Sequence, residues 1–176
     1  ILMDGSGLGL NALGAFTLVE RATTVGQGGG ATTLDAGDIL LVDWSNVAAD
    51  AHIQRLQPGT LGDTTTGTLS VLVDGNDLSA DLSLGDIVGL DLVEQDTAIG
   101  GTLLQSGQIL LTLYGGDDIG GTTVTGQDIV VLDVTTTGIN SAATASLFFD
   151  GSDVGLDVWQ EDVRSLSLSS FYNQAP

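Results

Sequence analysis

Short apolar runs separated by Gly, Asp, Thr and Ser recur along the whole 176-residue chain. They fall at residues 2–4, 16–20, 39–44, 53–56, 69–74, 87–93, 109–114, 129–134, 147–150 and 163–168, and most are rich in Leu or β-branched residues. Runs of this length with turn residues between them predict about ten short strands in an antiparallel all-β meander. The stretch VAADAHIQRL at 47–56 is compatible with a short helix, but its alignment with a strand elsewhere favours a strand. Several runs are apolar on both faces: in 109–114, Ile109, Leu111 and Leu113 share one face, and Leu110 lies on the other. A sheet with one wet face alternates more cleanly, so these strands are expected to be covered on both sides.

The same pattern is written more than once. GDILLVDW at 37–44 matches GQILLTLY at 107–114, and 56–75 aligns without gaps on 132–151, so the spacing is 70 and then 76 residues. Asp4-Gly5, Asp74-Gly75 and Asp150-Gly151 mark corresponding points. A finer echo relates 74–93 to 115–134. The expected organisation is a single all-β domain built from a four-strand repeat, divided near 1–69, 70–145 and a partial 146–176. A propeller-blade-like arrangement and a β-sandwich or barrel both satisfy that pattern; two and a half blades do not close a ring, which leaves sheet edges for a neighbour to cover.

Charge narrows the partners. Of the 23 acidic residues only Glu20, Glu94 and Glu161 are Glu, and the only basic side chains are Arg21, Arg55 and Arg164, giving a formal charge of −20. Such a surface repels phosphate backbones and anionic headgroups, which argues against nucleic-acid partners. No apolar run is long enough for a membrane-spanning helix, so membrane insertion is not expected. With no Cys, disulfides and thiolate metal sites are excluded. The chain begins and ends inside a repeat without a basic leader, as a mature product or excised segment would. Asp, Thr, Ser and Gly without Lys point to a place outside the cell.

These residues carry a resemblance. The strings GTLSVLVDGNDLS, GQILLTLYGGDDIGGTTVTGQDIVVLDV and TASLFFDGSDVGLDVWQEDVRSLSL together resemble a DGSDVGL-type repeat of secreted and surface-anchored bacterial proteins. That resemblance implies an extracellular, β-rich, repetitive protein with no assigned activity. The first copy departs from it, with Gly7 in place of Asp153 and no EDV element near 13–16.

The acidic arcs are the one repeated chemistry. Asp74, Asn76 and Asp77, then Asp150, Ser152 and Asp153, set oxygen side chains at i, i+2 and i+3 on a Gly-bearing turn, and Asp117-Asp118 offers a similar pair. Ca²⁺ takes about 6–8 oxygen ligands, so these arcs are its candidate ligands, although Asp-Gly builds hairpin turns without any metal. No other cofactor is implied. His52 is the single histidine and aligns with Asp128; without Cys or a motif-placed Ser it has no triad. The GQGGG loop at 26–30 lacks the Lys and helix of a phosphate loop. Glu161-Asp162 suggests glycosidase carboxylates, but few aromatic residues are available to line a cleft.

Three functions follow in order. The first is a non-enzymatic structural protein whose strand edges or terminal strands join copies of itself into a fibre or layer. The second is a secreted adhesion module for a glycan or protein ligand, stabilised by Ca²⁺. The third is a polysaccharide-active enzyme.

Overall fold

A computed structural model describes residues 3–10, 12–44, 52–75, 77, 87–119, 122–156 and 161–168. In chain order the strands are β1 (Leu13–Leu18), β2 (Thr23–Val25), β3 (Thr32–Leu34), β4 (Ile39–Asp43), β5 (Ile53–Thr60), β6 (Thr66–Val73), β7 (Ile87–Leu92), β8 (Thr97–Ile99), β9 (Thr102–Leu104), β10 (Ile109–Leu113), β11 (Asp117–Ile119), β12 (Thr122–Val124), β13 (Ile129–Thr136) and β14 (Ala142–Phe149). The only helical pieces among the described residues are single 3-10 turns at Gly5–Leu8, Gly28–Gly30 and Gly151–Val154, and no helix there is long and apolar enough to cross a membrane.

The protein is all-β and antiparallel. One four-stranded sheet runs β1-β4-β5-β6 and a second runs β7-β10-β13-β14, each a meander, without barrel closure. Three two-stranded ribbons, β2-β3, β8-β9 and β11-β12, form within the connections, and Val25, Leu34, Leu104 and Val124 anchor them in the core. The predicted strands from 16–20 to 147–150 fall on the eight sheet strands. The six ribbon strands are additional: each is three residues long, and three of them carry two Thr, a composition that reads as loop. The 163–168 run carries no strand assignment, the 2–4 run contributes one bridge from Met3, and of the helix alternative over 47–56, residues 53–56 are strand in β5 while 47–51 lie outside the described residues.

Both-face burial follows from stacking. Every residue of β4, β7 and β10 is buried, because side chains alternate across a strand and apolar material lies on both sides of each sheet. The central layer holds Leu40, Val42 and Ile53 from the first sheet against Ile109, Leu111 and Leu132 from the second. Ile39, Leu41 and Leu56, on the outer face of the first sheet, are covered by Met3, Leu8 and Leu10. On the outer face of the second sheet, Leu110 and Val131 are covered by Leu166 and Leu168. The sheet edges next to each other are β1 and β7.

Candidate assembly interface

The seam between the sheets carries polar as well as apolar contacts, and it joins unlike faces. Ile39 and Leu41 of β4 point outward, whereas Ile109 and Leu111, in the matching positions of β10, point into the seam. Conversely Leu40 points in and Leu110 points out. The second sheet therefore rests its front on the back of the first. A front-to-back contact is heterologous and does not close on itself as a twofold interface does.

Three contacts across this seam have counterparts beyond it. In the first, the stretch before each Asp-Gly seats on a hairpin tip. Met3 bridges Gly62, and the Asp4 amide donates to Thr65 Oγ1 at 2.8 Å; Val73 bridges Gly138, and the Asp74 amide donates to Ser141 Oγ at 2.9 Å. Both hydroxyls donate onward, Thr65 to the Gly62 carbonyl and Ser141 to that of Gly138. The tips turn at glycines with φ +104° and +95°, a backbone conformation that side chains resist.

Strand neighbours make the second. Thr17 Oγ1 of β1 donates to Asp91 Oδ1 of β7 at 2.7 Å, and the other Asp91 oxygen accepts from the Leu168 amide. Thus β1, β7 and residues 163–168 lie in a row. In the third, an aromatic ring after the second sheet strand holds the next member of that row. Trp44 Nε1 donates to the Ile87 carbonyl at 3.2 Å, and the Arg164 guanidinium sits 5.5 Å from the Tyr114 ring centre, a cation–π contact. The β2-β3 ribbon also reaches the second sheet: the Thr137 amide donates to the Gly30 carbonyl at 2.8 Å.

Charge at the seam is paired. Arg55 Nε donates to Asp38 Oδ2 at 2.7 Å, and its Nη2 lies 3.2 Å from Asp35. The guanidinium and the Asp38 carboxylate are nearly buried, at 11% and 5% exposure. Glu94 accepts from the Glu20 and Arg21 amides across the β1–β7 boundary. Burial pushes its carboxyl above the ordinary 4.5, with the neighbouring Glu20 charge adding, against the pull of those two amides.

The acidic arcs hold their own turns. Asp150 Oδ1 accepts from the Ser152 amide at 2.9 Å and hydroxyl at 2.6 Å, capping the turn that follows. Asp4 accepts from the Ser6 amide at 2.9 Å, and hydrogen bonding from the Ser6 hydroxyl, then from that amide, holds its carboxyl below the ordinary 3.8. Asp74 Oδ1 meets His52 Nε2 at 2.9 Å. In the corresponding place of the second sheet, Asp128 Oδ1 accepts from the Gly151 amide at 2.9 Å, so residues 52 and 128 both tie down an Asp-Gly turn. Asp117 accepts from the Asp118 amide on its ribbon. Asp153 is exposed beside Ser152, Asp77 donates its amide to the Asp74 carbonyl, and Asn76 lies outside the described residues. Among the described residues no three His, Asp or Glu side chains converge as ligands. Glu161 is exposed, and Asp162 pairs with Arg164 at 3.4 Å.

A groove of about 280 Å³ follows the row of strands, lined by Phe16, Leu18, Asp91, Glu94, Leu166 and neighbours. It falls just under the size of ordinary small-ligand pockets, roughly 300–1,000 Å³. Sequence reasoning missed Arg55, Asp38, Asp91 and Thr65. The Asp-Gly turn was legible, but the hydroxyl that receives it stands 61 residues away.

No protein-family model, curated protein or solved structure matches this chain.

Proposed function

We propose that this is a non-enzymatic repeat protein of the cell exterior, whose four-strand units stack front to back and whose exposed ends join further copies into a fibre or layer. The observation that carries this reading is the heterologous seam, in which the face the second sheet buries corresponds to the face the first sheet turns outward. Such contacts generate rings or open filaments according to the rotation between units. Exposed apolar side chains support it: Phe16 at 62% and Leu18 at 54% on β1, and Leu103 at 55% on the β8-β9 ribbon. Leu90 and Leu92 occupy on β7 the places of Phe16 and Leu18, and they are buried in the seam. The net charge of −20 opposes association at low salt, and ions screen it over about 8 Å at physiological strength.

Sedimentation and electron microscopy across salt concentration test the reading. Elongated particles that grow with protein and salt are expected; a compact monomer at every condition overturns it. A glycan or protein ligand seated in the groove along β1 and β7 is the second reading, supported by exposed Phe16 beside Asp91 and Glu94. Calcium on the acidic arcs belongs with it, and melting with and without chelator tests that part.

A further inference from the structure

Among the described residues there are three Asp-Gly arms, of which the first and third are capped by the Asp side chain, and two hairpin seats. Asp4 and Asp74 fill the seats at Thr65 and Ser141, and the third arm, at 150–156, has none left. Yet its conformation is that of the first. Asp4 and Asp150 share φ near −100° (−101° and −98°) and ψ 109°, and the closing glycines, Gly9 and Gly155, are both left-handed at φ +76° and +85°. The closing hydrogen bonds match as well, with Leu10 N to Gly5 O and Leu156 N to Gly151 O both at 3.0 Å. Their environments differ: Leu8 packs on the first sheet, while Val154, in the same place, is 64% exposed.

We propose that the arm at 150–156 of one copy seats on the 62–65 hairpin of a second copy, displacing that copy's own residues 3–10. The proposal rests on the stacking reading above and names its contact: the Asp150 amide to the partner copy's Thr65 hydroxyl, with Phe149 beside Gly62. The occupant is a second copy because this contact continues the interface already made twice inside the chain, and because the covering residues 3–10 are a conformational replica of the incoming arm. The intramolecular arm enjoys a high effective concentration, so exchange is held back until that arm is weakened or copies are crowded.

The test is sedimentation of the full chain as wild type, Asp4→Pro and Asp4→Pro/Asp150→Pro, in about 0.5 M salt to screen repulsion. Asp4→Pro removes the amide that occupies Thr65 and should lower the concentration for half-association about tenfold or more. The double variant should return to wild-type behaviour. Equal association of Asp4→Pro and wild type, or of the single and double variants, overturns the proposal. Polymers that form in the double variant at the same low concentration as in Asp4→Pro leave stacking intact and dispose of this contact alone; monomers throughout dispose of both. Should Asp4→Pro fail to fold, Gly9→Val loosens the same arm through its left-handed residue, with the same outcomes expected.

Discussion

The two sheets use one strand order and differ in what covers them. The front of the second sheet lies on another sheet, whereas the front of the first lies under residues 3–10, an arm a few side chains wide. The contrast extends to single positions. Where the first sheet has the nearly buried Arg55–Asp38 pair with exposed Asp35 beside it, the second has Val131, Gln108 and Gln105. Gln108 Oε1 accepts from the Gln105 amide at 2.8 Å as Asp38 accepts from the Asp35 amide at 2.7 Å, so the turn survives without the charge. Val42 of the first sheet corresponds to Thr112 of the second, whose hydroxyl is buried with no hydrogen-bond partner. One backbone arrangement thus tolerates either charged or neutral side chains at these matched positions, and the local turn is what both must keep.

The sharpest test of the contrast is core truncation at matched positions. Leu111→Ala, between two sheets, should cost about 4 kcal/mol by denaturant unfolding, since neither sheet can relax into the cavity. Leu41→Ala, under the arm, should cost about 2–3 kcal/mol because the arm can settle inward. Equal losses would mean that the arm packs as rigidly as a sheet.

Next in size, Arg55→Met should cost about 3 kcal/mol by leaving Asp38 buried without its partner. Writing the second sheet's residues into the first, with Asp35→Gln, Asp38→Gln and Arg55→Val together, should bring stability back to within about 1 kcal/mol of wild type. A triple variant as unstable as Arg55→Met would show that the seam depends on charge after all. In the opposite direction, Thr112→Val copies Val42 into the second sheet and should stabilise by about 1 kcal/mol, because it removes a buried hydroxyl that bonds to nothing. Any loss of thermal stability in that variant would contradict the assignment.

The smallest effect is acid–base. Glu94 has a raised folded-state pKa, so its contribution to stability is complete below the ordinary 4.5 and is lost as pH climbs through the raised value. Asp4 is lowered, so its contribution is present above 3.8 and fades as pH drops through the folded-state value. Glu94→Gln should flatten the stability profile just above pH 4.5 relative to wild type, and Asp4→Asn should flatten it below 3.8, both read from melting temperature against pH. Unchanged profiles in both would break the link between these carboxyls and the arm and seam they hold.

How much of this was legible before the fold was known depends on the range of each interaction. Period and composition place the eight sheet strands, and two-faced apolar runs such as 109–114 announce cover on both sides, because side-chain alternation is a property of the local backbone. Asp-Gly turns were legible for the same reason: Asp4 and Asp150 bond to amides two residues ahead. The three-residue ribbons were not, since so short a Thr-rich strand has no period to read. Nor could local pattern reveal that Asp91 ties β1 to residues 163–168, that Thr65 receives Asp4, or that Arg55 meets Asp38 inside a seam. The sequence by itself determined an all-β chain of covered strands with capped acidic turns. Only the tertiary structure decided that the sheets stack front against back and that the arms at Asp4 and Asp74 seat on the hairpins at Thr65 and Ser141, because those outcomes depend on which distant surfaces exclude water together.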